Sequence, residues 1–213
     1  MQYSTFAAID IGSYDVILEI FEISKKQGIR SVDKICHRME LGKDTYTLGK
    51  IRPEMEEELC RVLADFVRIM EGYRVDDYRA TASSAISEAS NSLYVLGKIH
   101  QLTGFSVTVL SNSEQRFLSY KALAAMEDNF NKIIEKGTAI LDLDGGSFQI
   151  SLFDKDALVT TQNIRMGSLR IRERLAGIQS ETEHYEEMVE ELIWNEVSSF
   201  KKMYLKDRKI ENI

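Results

Sequence analysis

The chain's 213 residues allow one large or two small domains, with length enough for a real core. Hydrophobic residues at 44% and charged residues at 29% are ordinary for a globular protein, and the single proline, Pro53, argues against low-complexity stretches. A net charge of −7 argues against general nucleic-acid binding, which depends on neutralising phosphates, but leaves room for a small or linear polyanion in a local basic cleft.

Cys36 and Cys60 have no pairing or metal-ligand spacing, and with three histidines a zinc site is not expected; both read as buried thiols in a reducing compartment. No apolar run approaches the roughly 18 residues that span a bilayer. The start, Met1-Gln2-Tyr3-Ser4-Thr5, lacks the basic region and long apolar core of a signal peptide. A cytoplasmic protein with no membrane partner is expected.

Residues 6–21 read as a hairpin turning at Gly12-Ser13, and residues 35–41 add a third strand before a loop around Gly42 and Gly49. From Arg52 the pattern is helical, with Pro53 in the first turn and apolar residues at Leu59, Val62, Leu63, Phe66, Val67 and Met70. Glu54, Glu56, Glu57 and Glu58 read as a solvated helix start rather than a metal cluster. A strand over residues 78–82 leads through a serine-rich turn into a helix over 87–102, then a strand over 105–110 and a long helix from Ser113. The charged segment 127–137 predicts a domain junction. The hairpin pattern then restarts at 138–141 and 148–153, with a third strand near 159–164. A last helix over about 181–205 gives Trp194 a core role by default. Residues 209–213 look like the entry to a further strand.

Two short turns organise this pattern: Asp10-Ile11-Gly12-Ser13, and Asp142-Leu143-Asp144-Gly145-Gly146-Ser147. Each lies between two strand-like runs, which suggests an internal duplication. Glycine turns bring backbone N–H groups close to an anion, and an aspartate ending the preceding strand can hold Mg²⁺ or orient water. Asp10 and Asp142 are then expected to face each other across an interdomain cleft. The plainer alternative is that both aspartates cap strand ends.

In order and spacing, the segments resemble the Ppx/GppA family of exopolyphosphatases and guanosine pentaphosphate phosphohydrolases, within the actin-like ATPase superfamily. Ala8-Ile9-Asp10-Ile11-Gly12-Ser13 is similar to the family's A-I-D-I-G-S-N turn, and Ala82-Ser83-Ser84-Ala85-Ile86-Ser87-Glu88-Ala89 lies where the family has A-T-S-A-x-R-E-A. Ile140-Leu141-Asp142-Leu143-Asp144-Gly145-Gly146-Ser147 resembles its I-D-I-G-G-G-S turn, and Met166-Gly167-Ser168-Leu169-Arg170-Ile171-Arg172-Glu173-Arg174 its L-G-A-V-R-L-T-E-R. The resemblance implies an α/β fold of two duplicated actin-like (ribonuclease H-like) domains. These are a first over 1–126, a junction over 127–137, and a second, incomplete one over 138–213.

It also implies hydrolysis of terminal phosphoanhydride bonds in polyphosphate or guanosine pentaphosphate, with a homodimer as one admissible assembly. Gly12, Ser13, Ser87, Gly145, Gly146, Ser147 and Arg170 would bind phosphate, and Asp10 and Asp142, with Asp144 as a possible third, would hold Mg²⁺. The family's general-base glutamate falls at Gln115, with Glu114 beside it, and an amide cannot accept the proton. Tyr14 replaces an asparagine, Ser87 an arginine, Asp144 a glycine, Phe148 a threonine and Gln149 a glutamate. Arg165, Arg170, Arg172 and Arg174 either face an anion or form a solvated helix start paired with Glu173. A non-catalytic relative that binds phosphate polymers, nucleotides or a protein partner is the alternative to the hydrolase. A kinase of the same superfamily is a third reading.

Overall fold

A computed structural model describes residues 3–127, 129–177, 184–206 and 208–213. Its contacts separate two compact units, Met1–Ser111 and Asn112–Ile213.

In the first unit β1 (Ser4–Ile11), β2 (Asp15–Ser24) and β3 (Gly28–Arg38) form an antiparallel meander. The parallel strands β4 (Asp77–Ala82) and β5 (Val107–Val109) extend it in the order β3-β2-β1-β4-β5. Strand side chains alternate between faces, so Ala7, Ile9 and Ile11 of β1 and Val16, Leu18 and Ile20 of β2 are all buried. Helix α1 (Leu41–Leu48) follows, then α2 (Pro53–Tyr73), which begins on Pro53 and adds Leu59, Leu63, Phe66 and Met70 to the same core. The short α3 (Ser84–Ser87) precedes α4 (Ser92–Thr103), which contributes Val95 and Ile99.

Several local expectations change here. The stretch read as a loop is α1, entered through Glu40 at φ 54° and left at Gly49 at φ 70°; its two bounding turns, not its interior, carry the irregular backbone. The third strand runs over 28–38, earlier than expected. The single helix expected over 87–102 is two, because the Asn91 side chain accepts from Ile51 N and donates to Ile51 O, pinning the break. Glu56 is not solvated: it is 3% exposed and its Oε1 lies 2.6 Å from Lys98 Nζ, joining α2 to α4. Cys60 is buried as expected, but Cys36 is exposed, because β3 is the outer strand of its sheet.

In the second unit α5 (Asn112–Met126) and α6 (Phe130–Ile134) precede an antiparallel sheet of β6 (Thr138–Leu143), β7 (Phe148–Asp154) and β8 (Ala157–Ile164). The Tyr120 ring meets Phe153 edge-on at 5.1 Å, and its hydroxyl donates to Ser151, so α5 sits with this sheet. The contacts group 112–126 with the second unit, whereas the expected junction lies at 127–137. After β8 come α7 (Ser168–Leu175) and α8 (Tyr185–Tyr204), whose Phe200 packs with Ala139, Ile150, Leu152 and Ile164. Trp194 is 62% exposed, not a core residue, since it lies off the face that Phe200 buries. Residues 181–183 of the expected last helix lie outside the described residues. In the segment read as a strand entry, Asn212 makes a single parallel bridge to Thr138.

The duplication is visible in the ladders. Ile11 pairs with Val16 in the first unit and Leu143 with Phe148 in the second, leaving turns 12–15 and 144–147. Gly12 N donates to Asp15 O and Asp144 N to Ser147 O, each at 3.0 Å. Parallel pairing also begins at matching places, Phe6 with Asp77 and Thr138 with Asn212. Among the described residues no helix is long and apolar enough to cross a membrane.

Candidate functional site: two acidic turns

In the first unit Asp10 is exposed near the end of β1, paired across the ladder with Ile17. Gly12 is a steric necessity, since a Cβ there would lie 2.9 Å from Asp15 O and 3.9 Å from Asp10 Oδ2. Its N–H, expected to face phosphate, closes the turn onto Asp15 O. Ser13 is buried, and its hydroxyl joins a three-membered cluster: Ser13 to Tyr46 at 2.6 Å, Tyr46 to Ser84 at 2.8 Å, Ser13 to Ser84 at 3.2 Å. Each hydroxyl brings one rotatable O–H and two lone pairs, so such a cluster can reorient to donate to an oxyanion. Sequence reading missed Tyr46 and Ser84: the first sits on the unexpected α1, and only the serine-rich turn hinted at the second.

Tyr14 directs its ring to Arg38, whose guanidinium carbon stands 4.3 Å from the ring centroid. Its carbonyl accepts from Met39 N and Glu40 N, and that of Ser13 accepts from Gly42 N, so the turn anchors the start of α1. Ser87 ends α3, exposed, with its N–H donated to Ser83 O.

The second turn is built differently. Asp144 Oδ1 accepts from Gly146 N and from Ser147 N, both at 2.6 Å. Two of the N–H groups expected to cradle phosphate therefore already hold a carboxylate. The other oxygen, Oδ2, accepts from Gln115 Nε2 at 3.4 Å. Asp142 Oδ2 accepts from Ser119 Oγ at 3.1 Å, and Asp142 pairs across the ladder with the buried Gln149. Phe148 packs against the apolar cluster of this unit. Helix α5 thus places Gln115 and Ser119, one turn apart on one face, against the two acidic residues. Glu114 is exposed in the first turn of the same helix.

The start of α7 locks onto this turn. Ser168 N donates to Asp144 O, while Leu169 N and Arg170 N donate to Gly145 O, satisfying helix N–H groups that have no partner within the helix. Arg170 Nε donates to Gly146 O at 2.9 Å. A Cβ on Gly167 would stand 2.4 Å from Gly145 C and Ser147 N, so no side chain fits there. Arg172 pairs with Glu173 at 3.0 Å, while Arg165 and Arg174 are exposed.

Among the described residues no group of three or more His, Cys, Asp or Glu side chains is placed to hold a metal ion. Both Asp144 carboxylate oxygens already accept hydrogen bonds, Oδ1 from the turn and Oδ2 from Gln115.

Residues 19–211 match the model of the Ppx/GppA phosphatase family. The chain is 22% identical over 174 residues to a bifunctional 3-dehydroquinate synthase/phosphatase of Fusobacterium nucleatum, covering 79% of this chain and 26% of that protein. It is 25% identical over 144 residues to exopolyphosphatase 1 of Mycobacterium leprae, covering 67% of this chain and 41% of that one. The crystal structure of the Aquifex aeolicus Ppx/GppA family member superposes with a TM-score of 0.69 at 23% identity, over 93% of this chain and 63% of that one. The chain thus spans between about a quarter and two thirds of the length of these relatives. With a family match over most of its length, the chain belongs to the Ppx/GppA phosphatase family.

Proposed function

We propose that this chain acts on the terminal phosphates of inorganic polyphosphate or guanosine pentaphosphate, as a phosphoanhydride hydrolase of the Ppx/GppA type. The observation that carries the reading is the repeated turn: in each unit an aspartate, Asp10 or Asp142, stands two residues before the residue whose N–H closes the hairpin turn. Bound Mg²⁺ would supply charge neutralisation on the phosphate oxygens. In the first unit the hydroxyls of Ser13, Tyr46 and Ser84 are the donors offered to a phosphate oxygen, and in the second unit Arg170 is. Water attacks the terminal phosphorus, the bridging P–O bond breaks, and Glu114 accepts the proton from the water. Purified full-length chain with Mg²⁺ and long-chain polyphosphate is expected to release orthophosphate, read by a colorimetric phosphate assay.

A second reading, a relative that binds phosphate polymers without turning them over, is favoured by one contact. Gln115 donates to Asp144 where a general base would have to accept a proton. Binding of polyphosphate with no orthophosphate released would support this reading over the first.

A further inference from the structure

Backbone N–H groups converging on one point form an anion-binding concavity, and the second turn has such a point at Gly146 N and Ser147 N. The ligand found there is part of the chain. Asp144 Oδ1 sits 2.6 Å from both nitrogens, a short charge-assisted geometry, and Gln115 Nε2 braces the other oxygen. The first unit supplies an internal reference. Its equivalent position, by ladder register and by the bond that closes the turn, is Gly12, which has no side chain to offer.

We propose that Asp144 is a built-in anion that occupies the phosphate place of the second turn, so that this turn accepts a phosphate group only when the carboxylate is removed or displaced. The inference rests on the phosphate-handling reading above and adds a regulator to it. An incoming phosphate meets two obstacles: the donors are taken, and the group that holds them carries the same sign of charge. Gln115 raises the barrier to displacement, because a carboxylate that swings out loses its amide donor as well as two backbone donors. A glutamate in its place would repel Asp144, so the two residues form one compatible set.

The test uses inorganic tripolyphosphate as the probe and the full chain as the protein. Affinity is measured by titration calorimetry at fixed ionic strength, and the site by amide resonances. Asp144→Gly is expected to bind tripolyphosphate at least about tenfold more tightly than the unsubstituted chain, with Asp144→Asn in between. In Asp144→Gly the Gly146 and Ser147 amide resonances move on titration; in the unsubstituted chain they do not. Asp156→Gly, in the exposed β7–β8 turn at φ 60°, removes one negative charge elsewhere and is expected to leave affinity unchanged.

Equal affinity of the unsubstituted chain and both Asp144 variants would overturn the proposal. So would an equal gain from Asp156→Gly, which would reduce the effect to net charge. If Asp144→Gly fails to fold, Asp144→Asn, close in shape, carries the comparison alone. Orthophosphate release is scored separately. Its absence from every variant would sink the hydrolase reading and leave the binding result standing.

Discussion

A glutamate at position 115 would face Asp144 Oδ2 across the 3.4 Å now bridged by an amide hydrogen. Two carboxylates that close do not both stay ionised without a cation or a shared proton. Adding a second carboxylate beside Glu114 by Gln115→Glu alone is therefore expected to leave phosphate release within about threefold of its starting value. Combined with Asp144→Gly, the same substitution is expected to raise it by about 10²-fold, the lower end of what a positioned base contributes. Phosphate-release rates on polyphosphate check both, and a single variant as active as the double would refute the coupling. Both residues stood out in the sequence as departures, but their contact did not. The rotamer that folds Asp144 back onto Gly146 and Ser147 is a property of the turn in three dimensions. Likewise Ser13 was legible, whereas Tyr46 and Ser84 join it from positions 33 and 71 residues away.

At the scale of elements, β1, β2, β6 and β7 were legible because their apolar runs flank the two glycine turns, 12–15 and 144–147. Helix α1 was missed because its glycines, Gly42 and Gly49, suggested a loop; Gly42 is in fact buried inside the helix. The role of Glu56 was hidden for a similar reason, since its partner Lys98 lies on another helix. That partner's pKa is raised, chiefly by the hydrogen bond to Glu56. A raised lysine pKa adds stability that is complete below the ordinary lysine range and is lost as pH climbs through the folded value. Lys98→Met, which leaves Glu56 buried without its cation, is expected to lower Tm by about 5 °C at neutral pH. The gap between variant and unsubstituted chain should narrow at strongly alkaline pH. Thermal melts by circular dichroism at both pH values measure this, and a gap constant with pH would show that the pair contributes nothing.

At the scale of the whole molecule, the two units share a plan but not a core. In the first, the buried cluster runs through β1, β2 and β4 and through α1 to α4. In the second, among the described residues, it comprises Ala139, Ile150, Leu152, Ile164 and Phe200, with α5 burying no residue at all. Stability in a chain so divided is set locally, and regions with few buried apolar contacts open first. Hydrogen exchange is expected to find the β6–β8 amides exchanging at least about tenfold faster than those of β1 and β2. Equal protection across both sheets would show instead that they open together.

Gly167 has no room for a side chain, and the first three N–H groups of α7 are spent on Asp144 and Gly145. Mechanically, the turn and the helix are one part, a crank with its pin at Asp144. Asp144 serves both: its carboxylate holds Gly146 and Ser147, and its backbone carbonyl holds Ser168 at the start of the eight residues of α7.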